Sequence, residues 1–217
     1  MYINEIFCSL DGEVNAFGQG RRTVFIRFQG CNLSCKWCDQ PEAIKEPDKQ
    51  LYRTHLHTWT LPEILRKVDS FECSKVTITG GEPLVQYDDL LDLICELKKT
   101  EYYISVETNG SLDVDPLMVS LVDSWVVDFK PFYEYADFKF PYHLLDMDDW
   151  IKFVITNKED FIESLSVKYE IDMDKQTNFA WSAVYPHITN TQLADLMMTY
   201  KVNGNLNVQL HKLLNVR

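Results

Sequence analysis

Lys75-Val76-Thr77-Ile78-Thr79-Gly80-Gly81-Glu82-Pro83 decides the fold class. The β-branched residues of 75–79 predict a short strand, and the paired glycines end it. Downstream, residues 88–99 place Leu90, Leu91, Leu93, Ile94 and Leu97 on a helical period. Strand, glycine turn and amphipathic helix make one βα unit. The rhythm then repeats. Residues 102–107 predict a strand that ends at Thr108-Asn109-Gly110, and 115–122 a helix. Residues 125–129 predict a strand that stops before Pro131, and 150–155 another, followed by a helix over 158–168. Residues 178–183 and 206–210 read as the last strands, with a helix over 191–201 between them. Upstream lie two more strands, 2–7 and 23–28, and a helix over 61–68 that opens with Pro62. The polar stretch 39–60, with Pro41 and Pro47, reads as a long loop or a short inserted helix.

Strands alternating with helices imply an α/β fold with a parallel sheet. About six such units fall short of the eight in a closed barrel of ~250 residues, so an open, partial βα barrel with about six parallel strands is expected. In such folds the chemistry sits at the C-terminal strand ends. The least ordinary short sequences of this chain fall at those ends.

The 217 residues fit one domain, residues 1–217. With 46% hydrophobic and 25% charged residues, the chain reads as soluble and able to bury a core. The net charge of -12 argues against a nucleic-acid partner, which would call for a basic footprint. The opening MYINEIFCSL lacks the basic and apolar regions of a secretory signal, and no run approaches the ~18 apolar residues of a membrane span. A cytoplasmic protein with no membrane partner is expected. Of the six cysteines, Cys31, Cys35 and Cys38 crowd one loop, while Cys8, Cys73 and Cys95 are scattered. That pattern predicts one metal site and three reduced thiols rather than a disulfide framework.

The crowded loop is Gly30-Cys31-Asn32-Leu33-Ser34-Cys35-Lys36-Trp37-Cys38-Asp39. Three thiolates in a compact loop after a strand can hold three irons of a 4Fe–4S cubane and leave the fourth open. Structural zinc is the alternative, with His55 or His57 as a fourth ligand.

The C-x3-C-x-aromatic-C spacing, carried by Cys31, Cys35, Trp37 and Cys38, resembles the radical S-adenosylmethionine (SAM) superfamily. The resemblance implies that the open iron chelates SAM. Reduction of the cluster then yields a 5′-deoxyadenosyl radical that abstracts hydrogen from substrate. Gly80-Gly81-Glu82-Pro83 matches the segment that meets the SAM amino group; the glycines permit close backbone approach and Glu82 offers a carboxylate. A plain strand-to-helix turn is the other reading. Glu107-Thr108-Asn109-Gly110 resembles a segment that shapes the SAM cavity, and Asp128-Phe129-Lys130-Pro131 one that lies near SAM. Trp37 and Asp39 fall in the same cofactor set.

A narrower similarity covers nearly the whole chain. Residues 4–7, 9–13 and 25–31 resemble the opening of the 7-carboxy-7-deazaguanine synthase family, 150–154 its middle and 208–215 its ending. The family turns 6-carboxy-5,6,7,8-tetrahydropterin into 7-carboxy-7-deazaguanine by radical ring contraction with loss of ammonia, for queuosine and other deazapurines. The resemblance implies SAM, the cluster, Mg2+, a flavodoxin or ferredoxin reductant and a homodimer. It places Leu10, Asp11, Gly12, Glu13, Arg27 and Thr79 around the pterin: a carboxylate can accept from the amino and N–H edge, and a guanidinium can grip a carboxylate in a fork. It also puts Gln40 at the Mg2+ position. Three departures stand out. Asp11 and Val14 occur where the family pattern has Gln-Gly-Glu-Gly, and Gln40 occurs where Thr or Ser is usual. Two further readings stay open: a related radical SAM enzyme with another substrate, including a glycyl-radical activase, and a metal-binding or electron-transfer protein without catalysis.

Overall fold

The computed structural model describes residues 1–44, 58–130, 138–172 and 177–216. Eight strands form one sheet in chain order: β1 (Ile3–Leu10), β2 (Arg22–Phe28), β3 (Lys75–Gly80), β4 (Tyr103–Thr108), β5 (Ser124–Phe129), β6 (Trp150–Ile155), β7 (Asn178–Ala183) and β8 (Asn205–Asn207). Every pairing from β2 to β8 is parallel, so the parallel run extends past the six strands expected. β1 is antiparallel to β2 and forms an edge. The sheet is an open βα barrel, as the alternation of strands and helices predicts.

The period of 2 along each strand sorts the residues by face. Val76, Ile78, Ile104, Val106, Trp125, Val127, Ile151 and Phe153 belong to one large buried cluster. The helices are α1 (Pro41–Ile44), α2 (Leu61–Asp69), α3 (Tyr87–Lys99), α4 (Pro116–Leu121), α5 (Lys158–Asp172), α6 (Asn190–Thr199) and α7 (Leu210–Leu214), and α2 to α6 pack residues into this cluster. Helix α3 buries Leu90, Leu93, Ile94 and Leu97. Each such side chain contributes about 1.5–3 kcal/mol by leaving water, and cutting one back to Ala costs about 2–5 kcal/mol. Caps fix where the helices begin. Asp115 accepts from Met118 N–H at 3.0 Å ahead of α4, and Glu63 accepts from Thr60 N–H at 2.8 Å ahead of α2.

The alternate residues face the other way: Arg27 on β2, Thr77 and Thr79 on β3, Glu107 on β4, Asp128 on β5, Lys152 on β6. Register sets Arg27 beside Thr79 and Asp128 beside Lys152. One face of the sheet therefore holds the core and the other a band of polar groups. A small apolar cluster of Val14, Val126 and Ala180, with Trp150 packed on it, occupies this second face.

The end of the chain departs from expectation. The strand expected over 206–210 stops at Asn207, and α7 begins at Leu210. There the Leu210 N–H bonds Gly12 C=O at 3.2 Å, so the chain turns across the β1–β2 loop instead of extending the ladder. Of the stretch 39–60, the short helix α1 is present; His55, His57 and Pro47 lie outside the described residues, as does Pro131. No helix of the described residues is long and apolar enough to cross a membrane.

Candidate active site

A cavity of about 590 Å³ opens at the C-terminal ends of the parallel strands. Cys31, Cys35 and Cys38 line it together. The loop that carries them holds its thiols with backbone donors: Leu33 N–H points at Cys31 Sγ and Gln40 N–H at Cys38 Sγ, both at 3.4 Å. Asn109 Nδ2 reaches Cys31 Sγ at 3.8 Å. Burial raises the Cys31 and Cys38 thiols, and these donors oppose it. Among the described residues, no three His, Cys, Asp or Glu side chains converge closely enough to share one metal ion. Ligands of a cubane need not converge, because each binds its own iron.

The glycine turn after β3 is wedged under this loop. Gly81 N–H bonds Phe28 C=O at 3.0 Å, and Glu82 N–H bonds Gly30 C=O at 2.8 Å. A Cβ on Gly81 would come within 2.1 Å of Gly30 O, and Gly80 sits at φ +144. Only glycine fits, and both backbones line the cavity. Glu82 departs from the sequence reading. Its carboxylate is fully buried and accepts from Leu84 N–H at 3.1 Å, Thr108 Oγ1 at 2.8 Å and Asn109 N–H at 2.7 Å. Burial raises its pKa against those donors. Glu82 thus ties β3 to the end of β4 and does not line the cavity, whereas Gly80 and Gly81 do.

Opposite the thiols stands a set of buried charges. Glu13 accepts from Lys152 Nζ at 2.5 Å, Asn207 Nδ2 at 2.8 Å and Gln209 Nε2 at 2.7 Å. Lys152 also meets Asp128 Oδ1 at 3.0 Å, and Lys130 meets Asp128 Oδ2 at 2.7 Å. Burial alone would raise Asp128, but the two lysines hold it below its ordinary value. Glu107, bonded by Thr79 Oγ1 at 2.7 Å, is raised to about 8 by burial and by the nearby Glu13. Arg27 lines the same wall, its Nε on Glu5 at 2.9 Å. Asp39 is held down by Lys212 at 2.7 Å, against its burial.

Gly12, Glu13, Arg27, Thr79, Trp37, Asp39, Gln40, Gly80, Gly81, Glu107, Asn109, Asp128 and Lys130 line this one cavity with the cysteines. Leu10 and Asp11 do not. Leu10 ends β1 and is 36% exposed. Asp11 points below the cavity to Lys75 Nζ at 2.5 Å and Thr77 Oγ1 at 2.9 Å. Val14, another departure from the family pattern, is packed among apolar neighbours. Of the three departures, only Gln40 reaches the cavity.

With this geometry in place, comparison with known proteins is direct. Residues 25–129 match the model of the radical SAM superfamily. The 7-carboxy-7-deazaguanine synthase of Clostridium acetobutylicum is 32% identical over 97% of this chain and 94% of its own length. The chain belongs to the 7-carboxy-7-deazaguanine synthase family. The synthase of Methanospirillum hungatei is 28% identical over 100% of this chain and 86% of its own. The fold agrees with the crystal structure of QueE from Escherichia coli at a TM-score of 0.70, with 23% identity over 94% and 92% of the two chains.

The radical SAM enzymes of this family work with a 4Fe–4S cluster, SAM and Mg2+, and the residues present fit the first two. Three thiols share one wall, and a glycine turn leaves its backbone open beside them. Sequence reading missed Lys152, Gln209 and His211, all lining the cavity. Lys152 had a signal in its place. It is a lone lysine between Ile151 and Phe153, and alternation aims it away from their core. Gln209 and His211 had none, because they reach the site only through the turn after β8.

Proposed function

We propose that residues 1–217, as a single radical SAM domain, convert 6-carboxy-5,6,7,8-tetrahydropterin to 7-carboxy-7-deazaguanine. The observation that carries this reading is the shared cavity: the three thiols and the Glu13, Arg27 and Thr79 group line one space. Kinship over 97% of the chain with a synthase of that name supports it. When bound, the cluster and SAM supply a hydrogen-abstracting radical. Cys31, Cys35 and Cys38 hold the cluster. The backbone of Gly80 and Gly81, with Trp37, Asp39, Asn109, Asp128 and Lys130, forms the SAM side. Glu13 accepts from the pterin's amino edge, Arg27 grips its carboxylate, and Thr79, Glu107 and Gly12 flank it. Glu107 accepts from Thr79 Oγ1. Gln40 offers an amide oxygen to Mg2+.

The departures at Asp11 and Val14 do not weaken this reading, because neither touches the cavity. A flavodoxin or ferredoxin reductant, a homodimer and a cytoplasmic setting complete the proposal. Its test is anaerobic incubation of the reconstituted, reduced enzyme with SAM and carboxytetrahydropterin. Mass spectrometry should find the deazaguanine. SAM cleavage without that product would assign the chain another substrate, and a preparation that takes up zinc but no iron would sink the reading.

A further inference from the structure

Lys152 enters the cavity from the middle of β6 and has two carboxylates to serve. Its Nζ lies 2.5 Å from Glu13 Oε2 and 3.0 Å from Asp128 Oδ1. Glu13 Oε2 takes a second donor from Asn207, and Oε1 takes one from Gln209. A carboxylate has about four acceptor positions, so one remains on Oε1 for a donor in the cavity. Asp128 has Lys130 as its other cation. We infer that Lys152 is a positioning residue that couples the pterin and SAM subsites, one ammonium being shared between the carboxylate of each. The inference rests on the assignment of Glu13 to pterin and Asp128 to SAM proposed above.

The physical argument is competition for one charge. Burial disfavours the Lys152 ammonium, but Asp128 and Glu13, both in contact with it, outweigh burial and hold the proton firmly. Asp39 adds a more distant negative charge, Lys130 and Lys212 stand as the neighbouring cations, and His211 faces Glu13. SAM brings positive charge to Asp128. That weakens the hold of Asp128 on Lys152 and leaves the ammonium to Glu13, which fixes the free acceptor position of Glu13. Coupling of this kind is reciprocal. A lysine that merely filled space would give each ligand its own loss and no dependence of one on the other.

The test is equilibrium binding of 6-carboxypterin, a fluorescent aromatic analogue, to the oxidised, reconstituted enzyme with and without SAM. Oxidised cluster prevents turnover. In the wild type, SAM should tighten pterin binding by about tenfold. In Lys152→Met that ratio should fall to one. A Met variant that binds both ligands more weakly but keeps the wild-type ratio overturns the inference, as does a wild-type ratio of one. Should Lys152→Met fail to hold iron, Asp128→Asn is the second test. It leaves the lysine to Glu13, and the ratio should again fall to one; an unchanged ratio overturns the inference. Glu13→Gln separates the two levels. If it binds pterin as the wild type does, the assignment of Glu13 fails, and the coupling fails with it. If it loses pterin while Lys152→Met keeps the ratio, only the coupling fails.

Discussion

Two lysines in this molecule meet carboxylates of one loop at the same distance and under opposite conditions. Lys75 Nζ and Asp11 Oδ2 lie 2.5 Å apart, as do Lys152 Nζ and Glu13 Oε2. Asp11 and Glu13 are two residues apart in sequence. The Lys75 pair is sealed, with Asn15 Oδ1 at 2.8 Å and the Phe17 ring below. Burial lowers the pKa of Lys75, and Asp11 only partly opposes it. The Lys152 pair borders the cavity and has Asp128 and Glu107 as well, so its pKa rises. One geometry thus serves two ends. A single carboxylate in a closed space makes a structural tie, and several around a cavity make a binding surface.

The comparison breaks most visibly at Asp11. Asp11→Ala leaves Lys75 buried without a counter-charge, and should cost about 3–5 kcal/mol in denaturant unfolding of the reconstituted enzyme. Asp11→Leu with Lys75→Met removes both charges and should recover most of that loss. Pterin affinity of the double variant should stay within about twofold of wild type, since a 1.4 kcal/mol change is tenfold. A larger loss of affinity would show that the sealed pair shapes the cavity after all.

Val14 follows Glu13 directly and is packed with Val126 and Ala180. Val14→Ala should cost about 2 kcal/mol of stability. Unchanged stability would mean that this small cluster contributes nothing to the fold.

Per pH unit, the smallest effect concerns the cavity side alone. Native Glu107 keeps its proton up to about 8, where the unfolded chain has already released it. Stability should therefore fall as pH rises from the ordinary carboxylate range toward 8, by at most about 1.4 kcal/mol per pH unit. In Glu107→Gln that slope should flatten. An identical slope in both proteins would remove Glu107 from the account.

The parallel run was legible through β2 to β5 because each of those strands carries β-branched residues and is followed closely by Gly or Pro. The thiol loop was legible because its spacing is local. The roles of Asp11 and Glu82 were not, since each is decided by which way the carboxylate turns. Glu82 finds Thr108 and Asn109 on the next strand, 26 and 27 residues on, and Asp11 finds Lys75 at a separation of 64. Lys152 reaches Glu13 at a separation of 139. No period of 2 or 3.6 carries such information.

Asn207 and Gln209 follow Glu13 by 194 and 196 residues. On the ribosome, at about 5–20 residues per second, that interval is roughly 10–40 s. The thiol loop emerges early in that time, and the amides that complete the Glu13 environment emerge at its end. A nascent chain therefore presents its three loop thiols well before the cavity has all its walls.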